Sequence, residues 1–154
     1  MKITIQESKS ADTRSCDVTK VSKEVLLAAS HQHIGDVKKG LAFFSAMLGE
    51  AAAAHDSTKL SDIDWFFSDF KTGFKTTGWW DKHRKVERHH IGSPDGIRDD
   101  VNLVDVMEYI VDCVMAGKAR TGTVFPLTLP DAVLQKAFKN TADLLANNVE
   151  VDKP

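Results

Sequence analysis

Apolar side chains recur along most of the chain with the three- and four-residue spacing of an α-helix. From residue 17 onward, Val21, Val25 and Leu26 form one apolar face. A second helix is predicted from Ser30, and Gly49 is expected to end it because glycine readily adopts the left-handed conformation of a helix C-cap. The apolar face of this second helix consists of Ile34, Val37, Leu41, Phe44 and Leu48.

The middle of the chain alternates between stretches that favour helices and stretches that favour loops. The alanine-rich residues 50–56 favour a helix. Ser61, followed three residues later by Asp64, resembles a capping box that opens another helix. Glycines and threonines concentrated in 71–78 predict a loop. Residues 79–90 are predicted to be helical, and a turn rich in glycine and proline follows them.

The last third of the chain predicts two further helices. Residues 101–116 carry apolar side chains at helical spacing, and Gly117 and Gly122 are expected to end that helix. Asp131 is suited to cap a final amphipathic helix that runs through Leu145. The fold class predicted from these patterns is all-α, with five to six helices in a single-domain bundle.

The N-terminal residues differ from the rest because they are mostly polar. We interpret residues 1–17 as an N-terminal arm, in which Ile3 and Ile5 alternate like a short edge strand. The helical domain is then expected to occupy residues 18–150.

Length and composition narrow the class of protein. The chain has 154 residues and a formal net charge of −2, which is typical of one globular domain and gives no support to general nucleic-acid binding or membrane-surface binding. With only two cysteines, a disulfide framework and a cysteine-based zinc site are excluded. No stretch approaches the roughly 20 apolar residues of a membrane span. Because the N-terminus also lacks the apolar segment of a signal peptide, we expect a cytoplasmic protein.

The histidines are concentrated in one part of the chain and suggest a transition-metal site, since neutral imidazole is the commonest ligand for such ions. They are His31, His33, His55, His83, His89 and His90. His33 and His55 would lie about 33 Å apart on one straight helix. The chain must therefore break between them if they share a site, and Leu48–Gly49 is the expected place. His83 and His90 share a helix face but are about 10 Å apart along its axis, so one ion cannot hold both unless that helix breaks.

Acidic residues on the predicted helix 101–116 add a second feature. Asp105, Glu108 and Asp112 follow one another at steps of three and four, which places all three carboxylates on one face. An acid flanked by Val111 and Cys113 is expected to be partly buried, and a buried carboxylate needs a cation or a metal ion beside it.

These residues occur in an order that resembles the HD-domain superfamily of metal-dependent phosphohydrolases. Its pattern is a histidine on one helix, a His-Asp pair and an aspartate on a later helix, which correspond here to His33, His55 with Asp56, and Asp112. Asp112 is preferred because IVDCVMAGKA looks like the helix that carries the last ligand in that superfamily. The other two acids of the same face stay open as alternatives.

Three further motifs make the resemblance narrower. HDSTK is similar to the HDxxK motif of two-metal HD proteins, such as the HD-GYP phosphodiesterases and the myo-inositol oxygenases. Together with WWDKHRKVERHH and EYIVDCVMAGK, it resembles more closely a small bacterial and phage family with an HD-x-SK motif and paired histidines. The resemblance covers about residues 30–120. The GYP motif is absent, so a cyclic dinucleotide substrate is not implied.

The resemblance implies a helical cup that holds one or two divalent ions of Fe, Mn, Co, Ni or Zn. The implied metal ligands are His33, His55, Asp56, Asp112 and, for a second ion, His83, His89 and His90. Asp56 and Lys59 are the implied catalytic residues. Cations expected to bind a phosphorylated substrate are Lys59, Arg84, Lys118 and Arg120.

The function implied by the resemblance is hydrolysis of a nucleotide or another small phosphoester by a metal-activated water. Two alternatives stay open: an HD-type di-iron oxygenase, and a non-catalytic accessory protein whose helices bind metal. Ligand identity does not separate the hydrolase from the oxygenase. The aromatic-rich segment 65–80 offers an interface for a homo-oligomer.

Overall fold

The computed structural model describes residues 1–10 and 12–153, and most of them are helical. The helices in this part of the chain are α1 Lys23–Ala54, α2 Ser57–Ser61, α3 Ile63–Lys71, α4 Trp79–Val86, α5 Leu103–Thr121 and α6 Asp131–Ala146. Two four-residue strands, β1 Ile3–Gln6 and β2 Val149–Asp152, form a small parallel sheet with Ile3 opposite Val149. The all-α prediction is confirmed. None of the described helices is long and apolar enough to cross a membrane.

The chain divides into two compact units, and the first comprises Met1–Ala46 with Asp143–Pro154. Its sheet is tied to α1 by side-chain hydrogen bonds. Gln32 Nε2 donates to the carbonyl oxygen of Gln6 at 2.8 Å, and Lys39 Nζ donates to that of Thr4 at 2.9 Å. The predicted strand at Ile3 and Ile5 is thus confirmed.

The second unit comprises Met47–Ala142 and contains the larger core. Its fully buried apolar residues include Ile91, Val101 and Ala137. Trp79 is completely buried at the start of α4 and stacks on Phe66 of α3 with ring centroids 4.2 Å apart. The stacking of Trp79 on Phe66 joins α4 to α3, directly before the segment that carries the paired histidines.

Helix α1 continues through the place where the sequence pattern predicted a break. It runs unbroken from Lys23 to Ala54, so Gly49 is an interior helical residue and not a C-cap. A helical glycine costs only about 1 kcal/mol relative to alanine, and the alanines at 51–54 favour continuation. The chain turns instead at Asp56, which adopts a left-handed conformation with φ 54° and ψ 21°.

Helix α4 is shorter than predicted. It ends at Val86, and the residues up to His90 form turns. Two other predictions about helix ends were also wrong. The N-cap of α3 is Asp62 and not Ser61, and among the described residues the Asp62 side chain accepts no capping hydrogen bond from the helix backbone. Gly117 lies inside α5, where a Cβ would be 2.5 Å from the backbone nitrogen of Phe125, so glycine is needed there for close packing.

The position of Gly49 inside a helix predicts the sign of a stability change. Gly49→Ala is expected to increase the free energy of unfolding by about 1 kcal/mol, because alanine loses less backbone entropy in a helix. Among the described residues, apart from the two neighbours of Gly49 and its own helix backbone, no heavy atom lies within 4 Å of the added Cβ. Urea unfolding measures the change.

Gly122 provides the matched control. It also has free space around a Cβ, but its φ is +76°, so Gly122→Ala is expected to destabilise the protein through backbone strain alone. A destabilising Gly49→Ala would mean that Gly49 is a helix C-cap after all.

Candidate metal centre

Seven potential ligands from five parts of the second unit, Asp56 among them, lie close together. His55 directly follows α1, and the next residue, Asp56, is in a left-handed turn. Helix α4, the turns that follow it and helix α5 supply the rest. The side chains in these groups are His55, Asp56, His83, His89, His90, Glu108 and Asp112.

The two oxygens of Asp56 face different histidines. Oδ1 lies 3.3 Å from His83 Nε2 and 3.7 Å from His89 Nε2, whereas Oδ2 lies 3.5 Å from His55 Nε2. Oδ2 also accepts a short hydrogen bond from Lys59 Nζ. Burial works to raise the pKa of the Asp56 carboxyl, but the interactions with His83 and Lys59 outweigh it and hold that pKa well below its usual range.

The tautomer of His83 follows from its hydrogen bonds. The Thr58 hydroxyl donates its only hydrogen to Glu87 Oε1 at 2.6 Å, so it accepts a hydrogen bond from His83 Nδ1 at 2.7 Å. The backbone nitrogen of Thr58 donates to the same Glu87 oxygen at 3.0 Å, which fixes the arrangement. The His83 ring therefore turns Nε2 toward Asp56 Oδ1, and the lone pairs of these two atoms are compatible only with a proton or a metal ion between them.

Glu108 orients two more imidazoles in the same way. Its Oε1 lies 2.8 Å from His55 Nδ1 and 3.0 Å from His89 Nδ1. When both rings donate from Nδ1, the Nε2 lone pairs of His55 and His89 point toward Asp56. Burial works to lower the pKa of His89, but the hydrogen bond and charge of Glu108 outweigh it and raise that pKa. Glu108 is thus a carboxylate that positions histidines, an arrangement common around metal ions.

His90 is the fourth histidine at this place and is neutral at pH 7. The ring centroids of His90 and His83 are 4.7 Å apart. Burial, together with the neighbouring His89 and His83, lowers the pKa of His90 to about 3. Close packing fixes the backbone here, since a Cβ on Gly96 would lie 1.9 Å from the carbonyl oxygen of His90.

Three buried polar atoms of this cluster have no hydrogen-bond partner in the described part of the chain. They are Asp56 Oδ1, His83 Nε2 and His90 Nε2. Unsatisfied buried polar atoms cost free energy, and these belong to residues whose ligand atoms lie within 4.8 Å of one another. One proton between His83 and Asp56 would still leave His90 unsatisfied, whereas a cation satisfies all three. The residues present therefore fit a transition-metal ion with nitrogen and carboxylate ligands.

The cluster offers two ligand sets that share Asp56. One consists of Asp56, His83, His89 and His90, and the other of His55, Asp56 and Asp112. In the second set, His55 Nε2 lies 3.8 Å from Asp112 Oδ1. A third grouping, of His55, His89 and Glu108, is explained by the hydrogen bonds to Glu108. Because each oxygen of Asp56 belongs to a different set, the arrangement suits two ions bridged by one carboxylate.

The three acids on one face of α5 have different roles. Asp105 is 3% exposed, pairs with Arg88 through contacts of 2.6 and 2.9 Å, and closes the capping box with Asn102. Both carboxylate oxygens of Asp105 are therefore engaged in structural contacts and are not available to a metal ion. Glu108 orients histidines, which leaves Asp112 as the acid of this face that is available as a ligand.

His33 is not among the residues that meet at Asp56. It lies on α1 in the first unit, in a depression that Asp12, Arg14 and Ala29 also line. The break at Leu48–Gly49 on which its participation depended does not occur, because α1 is continuous.

The predicted substrate-binding cations are placed differently from one another. Lys59 contacts Asp56 directly. Arg84 pairs with Asp81 at 2.7 Å and Asp95 at 2.9 Å, so its charge is used in structural ion pairs. Two further cations, Lys118 and Arg120, are exposed in the last turn of α5, where cations interact favourably with the helix dipole.

Two residues of the site were not found from the sequence. Thr58 and Glu87 fix His83, although neither belongs to a recognisable ligand motif. The one available signal was an acid inside a histidine-rich stretch, because Glu87 lies between His83 and His89. Glu87 is only 6% exposed, and a buried carboxylate needs hydrogen-bond donors. The backbone nitrogen and the hydroxyl group of Thr58 supply them.

Comparisons of the chain with family models, with curated proteins and with solved structures found no match.

Variants of Glu108 test whether it orients histidines or binds metal itself. Glu108→Ala removes the acceptor for both imidazoles and is expected to lower divalent-metal affinity about 10- to 100-fold. Glu108→Gln keeps a carbonyl oxygen that accepts from both rings, so its affinity is expected to stay closer to that of the parent. Isothermal titration with Zn²⁺ or Mn²⁺ measures both. An equal loss in the two variants would identify Glu108 as a metal ligand.

Proposed function

We propose that this chain is a metal-dependent phosphohydrolase that cleaves a small phosphoester at a two-ion centre bridged by Asp56. The observation that carries the proposal is the division of the Asp56 oxygens between two sets of imidazole nitrogens. Paired ions that share a carboxylate are a common design for phosphoryl transfer, in which both the attacking and the leaving oxygen need stabilisation.

The first ligand set is enclosed and the second is accessible. His83 and His89 are almost completely buried, with side-chain exposures of 0% and 2%, whereas His55 and Asp112 are each 31% exposed. A substrate would therefore approach from the side of His55 and Asp112. When bound, a divalent transition ion lowers the pKa of coordinated water and polarises a phosphoryl oxygen.

Lys59 is the cation best placed to act on a substrate. Its ammonium group contacts Asp56 Oδ2, the carboxylate oxygen on the accessible side of the cluster, and its side chain is 30% exposed. A positive charge at this position would stabilise the negative charge that develops on phosphoryl oxygens during transfer. The charge of Lys59 also balances that of Asp56 when no metal ion is bound.

Lys59→Met tests the proposal because it removes the charge without removing a metal ligand. We expect kcat for p-nitrophenyl phosphate or bis(p-nitrophenyl) phosphate with Mn²⁺ or Co²⁺ to fall by about 100-fold or more, as on loss of a transition-state donor. Metal content is expected to stay close to that of the parent.

Lys75→Met is the matched control, since Lys75 is an exposed lysine in the loop before α4. It is expected to leave kcat unchanged. Oxygen uptake by the iron-loaded protein, with no hydrolysis of either phosphoester, would contradict the proposal and favour an oxygenase.

A further inference from the structure

An apolar groove adjoins the accessible side of the metal centre. It lies between the end of α1 and the middle of α5 and has a volume of about 340 Å³. Leu48, Met107, Val111 and Met115 supply its apolar walls, and we call it the α1–α5 groove. His55 and Asp112 line it as well, so the groove is continuous with the candidate metal ligands.

The apolar walls of the groove are exposed. Leu48 is 37% exposed, Met107 49%, Val111 55% and Met115 65%. A contiguous patch of this kind beside polar ligands is typical of a binding site, where apolar walls hold a substrate and a few polar groups orient it. Methionine side chains suit the purpose because they are flexible and adapt to an irregular ligand.

We infer that the α1–α5 groove binds the non-phosphate part of the substrate, and that this part is uncharged and apolar. The inference rests on the proposed function, because it takes the reacting phosphate to lie at His55, Asp112 and Lys59. It narrows the substrate class to phosphoesters of an apolar alcohol and excludes those with additional phosphate groups.

Charge supports this choice of occupant. The ionisable side chains of the groove wall are His55, Glu108 and Asp112, and no lysine or arginine among the described residues lines it. Additional phosphate groups would therefore lie against two carboxylates without a cation to balance them. An apolar chain meets no such repulsion and gains free energy by covering the exposed side chains.

The size of the groove limits the occupant further. Sites for drug-sized molecules measure roughly 300–1,000 Å³, so the α1–α5 groove is at the small end of that range. It suits a chain of a few carbons or one ring.

Methyl NMR of ¹³C-labelled methionine tests the inference without requiring activity. Of the four methionines, Met107 and Met115 line the groove, and Met1 and Met47 do not. Hexyl phosphate is expected to shift the Met107 and Met115 methyl signals and leave the other two unchanged. Methyl phosphate and inorganic phosphate are expected to leave all four unchanged.

Two variants of α5 supply a matched pair. Val111→Ser is expected to weaken hexyl phosphate binding about tenfold, as for loss of one or two buried methyl groups. Ile110→Ser changes an adjacent apolar residue of similar exposure that does not line the groove, and is expected to leave binding unchanged. Equal effects of the two variants would overturn the inference.

The outcomes separate this inference from the proposed function. If hexyl phosphate binds as described but is never hydrolysed, the groove is correct and the hydrolase proposal is wrong. If hexyl phosphate and methyl phosphate are hydrolysed with the same KM and the Met107 and Met115 signals do not move, the hydrolase proposal stands and the groove is wrong. A dependence of those signals on protein concentration alone would mean that a second copy covers the groove, which also overturns the inference.

Discussion

The arrangement of the second unit depends on one electrostatic constraint, a largely buried carboxylate surrounded by imidazoles. Asp56 is ionised and faces the Nε2 atoms of His55, His83 and His89 at 3.3–3.7 Å. Hydrogen bonds at the opposite ring nitrogens turn these lone pairs inward. Such an arrangement is costly without a proton or a metal ion between these groups, because oxygen and nitrogen lone pairs would face one another and several of the atoms are buried. The geometry therefore supports the proposal that this cluster holds metal.

The backbone brings the ligands to Asp56 at the places where helices end. The chain leaves α1 through a left-handed Asp56, a conformation that aspartate adopts more readily than most residues. Helix α4 ends at Val86, and the turns that follow place the ring of His90 beside that of His83. The backbone of Gly96 packs against the carbonyl group of His90, which only a residue without a Cβ allows. The polar residues of the centre thus lie at helix ends and turns, and the continuous helix α5 supplies the opposite wall.

The fold class and most helices could be predicted from sequence because their apolar periodicity is strong. The end of α1 could not, since Gly49 fits both a cap and a helix interior, and only tertiary structure decides between them. In the candidate site, the His-Asp pair and the later histidines could be identified as a group. The participation of His33 rested on a break that α1 does not have. The supporting roles of Thr58 and Glu87 arise from contacts across about 30 positions of sequence, which periodicity does not reveal.

The most direct test of this account is the metal content of protein purified without a histidine tag, measured by plasma mass spectrometry for the parent and for Asp56→Ala. The account predicts close to two transition-metal ions per chain in the parent and loss of both in the variant, because Asp56 belongs to both ligand sets. A circular dichroism spectrum unchanged from that of the parent would show that the variant is folded. A parent without stoichiometric metal, or a folded Asp56→Ala that retains its metal, would contradict the account.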